Sequence, residues 1–255
     1  MPSQPLVDFE GRIVLVSGAS SGIGRAIAKA LSDTGARLIL LGRNTSRLDD
    51  VLNSLSGDDN HILEMDLACT DDIAPVLKDF VKQCGPIYGL CHAAGVAETL
   101  PLSATSPQQV HRLMDVNLVA GIELARVICR RDVMEPAGGS LLFLSSIYGL
   151  IGKPGVIGYS ATKGALTAAA RSMAVELAKR NIRVNVLSPG LVWTEMTREA
   201  FSVIANGNVK KLEDDHLLRT GTPEDVAHAA AFLLAPQSSW ITGTDLVIDG
   251  GYIAK

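Results

Sequence analysis

Tyr159 and Lys163 stand four residues apart at the start of a run, Ala161 to Lys179, that has no proline and one glycine. Such a run favours helix, and on a helix residues four apart share a face. A phenol ordinarily titrates near ~10, too high for proton transfer at neutral pH. An ammonium ~4–6 Å away, at an effective dielectric near ~20, would favour the phenolate by roughly 3–4 kcal/mol, or about two to three pK units. The pair therefore suggests a general acid/base. The same spacing also describes a surface pair whose lysine snorkels, so the rest of the chain has to decide.

The surrounding elements supply a frame for that chemistry. Arg12 to Val16 reads as a buried strand and runs into Ser17-Gly18-Ala19-Ser20-Ser21-Gly22-Ile23-Gly24, followed by a helix ending near Gly35. A strand, a glycine-rich turn and a helix N-terminus can cradle a pyrophosphate through backbone N–H groups. Glycine-rich turns also serve as plain connections, and this one spaces its glycines as Gly-x3-Gly-x-Gly. The next strand, Arg37 to Leu41, ends at Gly42 and Arg43. An arginine there can pair with a ribose 2′-phosphate, so NADP is favoured over NAD. A helix over Arg47 to Leu55 precedes a strand His61 to Met65, which ends at Asp66 and Leu67. The Asp66 carboxylate can accept from an adenine amine or cap the following turn.

Helix Ile73 to Cys84, with Pro75 in its first turn, leads to strand Ile87 to Cys91 and then His92-Ala93-Ala94-Gly95, whose small residues leave room for a cofactor. A long helix is expected over Val110 to Arg131 with Asn117 within it, then a strand Gly139 to Leu144 closing at Ser145-Ser146. Strand Ile182 to Leu187 runs into Ser188-Pro189-Gly190, helix Pro223 to Leu234 has a capped acidic start, and a last strand covers Asp245 to Ile248. Strands and helices alternate without a linker or repeat. The expected fold is α/β, a single doubly wound Rossmann-type parallel sheet with helices on both faces, spanning 1–255 as one domain. The polar, irregular stretch Glu195 to Thr220 is expected to be a substrate flap.

Composition narrows the class. The 255 residues are 47% apolar and 20% charged, with a net charge of −4, which provides no basic field for nucleic acid or anionic lipid. The N-terminus lacks signal-peptide layout, and no apolar run reaches bilayer length. Cys69, Cys84, Cys91 and Cys129 lack metal-ligand spacing; buried free thiols in a reducing cytoplasm are expected, with no metal site.

Taken together, the glycine turn, Ser146, Tyr159-x3-Lys163, Pro189-Gly190 and Asp249-Gly250-Gly251 resemble the short-chain dehydrogenase/reductase family from Gly11 to Gly251. The resemblance implies Tyr159 as acid/base, with Lys163 tuning it and holding a ribose. Ser146, thirteen residues before Tyr159, would donate to the substrate oxygen, with Ser145 a core or turn residue. Asn117 would hold a water in a proton relay to the lysine. Cofactor contacts would come from Gly18, Ser20, Ser21, Gly22, Ile23, Gly24, Arg43, Asp66, Leu67, Ala93, Ala94, Gly95, Pro189, Gly190, Val192 and Thr194. Two departures stand out: Ser17 where threonine is commoner, and His92 in place of an asparagine that supports neighbouring strands.

Within the family the chain looks most like the 3-oxoacyl-carrier-protein reductases of fatty acid biosynthesis, which implies an NADPH-dependent ketone reductase and a homotetramer. In that branch two arginines hold the acidic carrier protein. Arg180 matches one, whereas the other falls at Ala137 unless Arg130 or Arg131 substitutes. The alternatives are an NADP(H)-dependent dehydrogenase of a sugar, steroid or small secondary alcohol, and a non-catalytic nucleotide-binding scaffold. The Ala165, Ala168 and Ala169 face fits either packing on a partner subunit or burial within one chain.

Overall fold

A computed structural model of the chain describes residues 7–198 and 213–255. Seven strands, β1 (Ile13–Ser17), β2 (Arg37–Gly42), β3 (His61–Glu64), β4 (Ile87–His92), β5 (Gly139–Leu144), β6 (Ile182–Pro189) and β7 (Asp245–Ile248), form one parallel sheet. Their order is β3-β2-β1-β4-β5-β6-β7. The chain leaves β1 toward one edge and returns at β4 to build the other. A crevice therefore opens beyond the C-terminal ends of β1 and β4, where Ser17 pairs with His92.

Alternation along the strands sends successive side chains to opposite faces. Leu15, Ile39, Leu90 and Leu141 pack under α3 (Ile73–Cys84) and, further along the chain, α5 (Ala120–Ile128) and α6 (Ile157–Leu177). Val14, Val16, Leu40 and Leu142 pack against Ile27 and Leu31 of α1 (Gly22–Asp33), Leu48 of α2 (Thr45–Leu52), and Val226 and Leu234 of α7 (Pro223–Leu234). Both faces are covered, which is why the central strands read as continuous apolar runs.

Several boundaries move for identifiable reasons. Helix α2 begins at Thr45 because the Asn44 side chain accepts from the Arg47 N–H at 2.9 Å. The expected long helix begins at Pro107, set by a Ser106–Gln109 capping box, as α4 (Pro107–Met114). It then widens into a π-helical turn over Asp115–Val119 before resuming as α5. Helix α6 starts four residues before Ala161, at Ile157, which places Tyr159 inside its first turn. Three cysteines are buried as expected, but Cys69, in the turn after β3, is exposed. Much of the expected flap, residues 199–212, lies outside the described residues.

Candidate active site

The glycine turn hangs between β1 and α1. Gly18 has φ +69°, and a β-carbon there would stand 2.7 Å from the Ala94 Cα, so only glycine lets the turn approach the Ala93-Ala94-Gly95 strand end. Ile23 packs into the core below it, while Ser20 faces the end of β2. Ser21 caps α1 without a side-chain hydrogen bond, and the first turn of α1 has no acidic residue. The N–H groups there thus remain open to an anion. One carboxylate already samples that position. Glu195 is held below the usual carboxylate range by backbone N–H groups, including that of Gly22, and by Arg25, whose guanidinium is 3.1 Å away. An anion seated at the helix N-terminus is what a dinucleotide pyrophosphate would supply, so the residues fit that group.

Arg43 and Asp66 meet at the ends of β2 and β3, 3.8 Å apart, with Arg43 largely exposed. Asp66 caps its turn through Oδ1, which accepts from the Ala68 N–H, and Leu67 is buried behind it. At the other rim, the Gly190 N–H after Pro189 donates to Ile248 O. Val192 is buried and bridges to Gly221, and the Thr194 methyl closes over Gly22. The two halves of the expected cofactor lining thus face each other across the crevice.

Tyr159, Lys163 and Ser146 come together beside it. Ser146 Oγ accepts from the Tyr148 N–H at 3.2 Å and hydrogen-bonds Tyr159. Ser145 points the other way and donates to Lys163 O, the core role expected of it. Lys163 Nζ lies 5.5 Å from the Tyr159 ring centre and donates to Leu144 O at 2.7 Å. The expected depression of the phenol is not what this geometry produces. Burial pushes Tyr159 up to about 12, against the opposing pull of the Ser146 hydrogen bond. Burial also brings Lys163 down to about 8. Desolvation outweighs the attraction because the lysine N–H is directed at a strand carbonyl rather than at the phenol oxygen.

Asn117 sits fully buried in the π-helical turn. Its Oδ1 accepts from the Val96 N–H, and its Nδ2 donates to Val96 O and Thr162 Oγ1. The side chain is thereby held by protein partners on both its oxygen and its nitrogen. His92 supplies the strand support that an asparagine would have given. Its Nδ1 is 2.9 Å from Ser17 Oγ, which itself accepts from the Ala94 N–H. One proton is shared between Ser17 Oγ and Nδ1, and Nε2 lies near the Val116 and Asn117 carbonyls but outside bonding geometry. Burial first and the Lys163 charge second push the imidazole down to about 3. It is neutral at physiological pH.

Sequence reasoning missed Tyr148, Lys153, Tyr252 and Glu195. The first three gather at the pocket mouth, and their only sequence signal was proximity to Ser146 and the C-terminus. Among the described residues no cluster of His, Cys, Asp or Glu could hold a metal ion, and no helix is long and apolar enough to cross a membrane.

Over residues 18–253 the chain matches the family described as Enoyl-(Acyl carrier protein) reductase. It is 34% identical over 241 residues to the 3-oxoacyl-[acyl-carrier-protein] reductase of Mus musculus, covering 94% of this chain and 97% of that protein. It is 32% identical over 249 residues to the 3-oxoacyl-[acyl-carrier-protein] reductase FabG of Rickettsia prowazekii, covering 97% and 99%. The crystal structure of L-sorbose reductase from Gluconobacter frateurii, complexed with NADPH and L-sorbose, superposes with a TM-score of 0.90 at 25% identity, covering 97% of this chain and 98% of that one.

Proposed function

The chain belongs to the short-chain dehydrogenase/reductase family of NAD(P)-dependent oxidoreductases, and from that premise we propose that it reduces the ketone of a 3-oxoacyl thioester with NADPH. The observation that carries this reading is the convergence of Ser146, Tyr159 and Lys163 in a fold whose α1 N-terminus already draws a carboxylate. NADPH, when bound there, supplies the hydride. Arg43 would hold its 2′-phosphate, which a carboxylate in that place would repel. Ser146, whose Oγ accepts from the Tyr148 N–H and whose hydroxyl meets Tyr159, turns its proton to the charge growing on the carbonyl oxygen. Tyr159, held protonated by burial, gives that oxygen its proton as general acid. The Lys163 ammonium opposes the phenolate left behind, and the Asn117 backbone carbonyl serves the relay that returns the proton.

A second reading, reduction of a sugar or another small ketone, draws on two observations. Ala137 stands where the carrier-protein reductases have an arginine, and of the substitutes Arg130 is already paired with Asp132. The sorbose reductase shares the fold throughout. Under either reading the whole chain acts as one cytoplasmic domain in a homotetramer. Exposed Ala168 and Val175 on α6, Ile122 on α5 and Val119 in the turn before it support packing against a second copy.

Following NADPH absorbance with acetoacetyl thioester, L-sorbose and simple ketones tests the choice. The thioester is expected to give the highest kcat/KM. A higher value for the sugar transfers the assignment to the second reading, and oxidation of NADPH by none of them removes both.

A further inference from the structure

Tyr148 stands two residues beyond Ser146, and the roles of Ser146, Tyr159 and Lys163 leave its phenol unused. The turn that carries it, Ile147–Gly149, is tightly placed. Ile147 is buried, and a β-carbon on Gly149 would stand 2.9 Å from the Lys163 carbonyl carbon, so the turn lies directly on α6. The Tyr148 N–H donates to Ser146 Oγ at 3.2 Å, which ties its backbone to the serine. Its phenol lies within electrostatic reach of the Tyr159 phenol, and of Tyr252 at the mouth. The hydroxyl is oriented, yet unpaired on its donor side. Lys153 Nζ donates to Tyr148 Oη at 2.9 Å, so the phenol oxygen serves as an acceptor and its proton points elsewhere. Burial raises the phenol, so that proton stays on. Among the described residues the Tyr148 O–H has no acceptor. A hydroxyl that accepts one bond gives a stronger one in return. Half-buried beside the reacting groups, it is a donor whose acceptor has to come with the ligand.

The reacting carbonyl is not that acceptor, because its oxygen has two lone pairs and Ser146 and Tyr159 take both. The acceptor is a second oxygen of the substrate. It lies close to the first, since Tyr148 is near Ser146 along the chain and near Tyr159 in space. We propose that Tyr148 is a specificity-determining residue that donates to the thioester carbonyl of a 3-oxoacyl group, so that the enzyme selects 1,3-dicarbonyl substrates over ketones with a single oxygen. The inference rests on reading Tyr159 as the proton donor, and it names the second group that donor's substrate must carry. A pocket built to hydrogen-bond a ligand discriminates against the analogue that leaves its hydroxyl unpaired. A sugar hydroxyl both gives and accepts, whereas a thioester carbonyl only accepts. The carbonyl is the better match for a phenol whose oxygen already accepts from Lys153.

The test compares acetoacetyl-N-acetylcysteamine with S-(3-oxobutyl)-N-acetylcysteamine, which has a methylene in place of the thioester carbonyl, using the full chain and NADPH. Tyr148→Phe is expected to lower kcat/KM for the thioester about three- to tenfold, mainly through KM, and that for the sulfide by less than about twofold. The electronic effect of the thioester on its ketone is the same in both proteins and cancels in this ratio. Retained sulfide turnover also shows that Tyr148→Phe folds and binds NADPH. Calorimetric titration of the thioester into the NADP⁺-loaded protein, where no hydride is available, should show the same loss of affinity. Equal losses for both substrates would place Tyr148 in the support of Ser146 and overturn the proposal, as would a ratio that Tyr148→Phe leaves in place. A greater loss with L-sorbose than with the thioester would give the second oxygen to a sugar hydroxyl and end the dicarbonyl assignment. Full turnover by Tyr159→Phe would instead remove the proton-donor reading, whatever the thioester-to-sulfide ratio.

Discussion

The interior of the site and its rim are built on opposite terms. Inside, His92, Asn117, Thr162 and Lys163 are at most 4% exposed, and the Asn117, Thr162 and Lys163 side chains each have protein partners. At the rim, Arg43, Glu195, Tyr148, Lys153 and Tyr252 remain partly or largely exposed, with Arg43 paired to Asp66 and Glu195 to Arg25. Enclosure makes the interior groups' protonation a property of the fold, because desolvation dominates each of their shifts. Rim groups are screened by solvent, so their contribution is selection of the ligand rather than control of the proton. The π-helical turn belongs to the interior. A β-carbon on Gly121 would meet the His92 ring at 2.8 Å, so the imidazole and the helix that carries Asn117 are fitted to one another.

The largest effect expected from this contrast is at Tyr159. Tyr159→Phe should lower kcat by ~10²–10⁴, the usual worth of a positioned general acid, with NADPH affinity retained in a fluorescence titration. Comparable losses in affinity would mean the phenol belongs to the binding rim instead. Next comes pH. Tyr159, at about 12, stays protonated across the working range, whereas Lys163 loses its charge as pH rises through about 8. Reductive kcat should therefore be level below that value and fall by up to about tenfold per unit above it. A profile level to pH ~10 would show that the ammonium is not needed. The smallest effect lies at the rim. Glu195→Gln removes a resident carboxylate from the α1 N-terminus and should tighten NADPH binding about two- to five-fold, the worth of one helix-end charge. Weaker binding would show that Glu195 supports the cofactor site rather than competing for it.

Much of the frame could be read from local pattern. β5, α7 and β7 have the expected limits, since each is bounded by residues with strong local preferences: Gly139, the Thr222-Pro223 cap, and the Asp249-Gly250-Gly251 turn. The glycine turn and the Tyr159–Lys163 pair were also visible, because register on one helix suffices to bring that pair together, whereas Ser146 was picked out by the resemblance to the family. The π-helical turn was not. Nothing local in Asp115–Val119 disfavours an α-helix; the turn accompanies bonds from Asn117 to Val96, twenty-one residues away, and Thr162, forty-five away. The Lys153–Tyr148 contact likewise depends on a loop folding back, for which a five-residue separation carries no signal.

The order of types along the chain determined the alternating fold and the place of the crevice, since these follow from short-range preferences and strand alternation, and it carried the motif from which the candidate reacting side chains are named. Only the tertiary structure decided their protonation. A phenol's affinity for its proton depends on every atom that displaces water around it, and that sum reversed the shift expected from one neighbouring lysine.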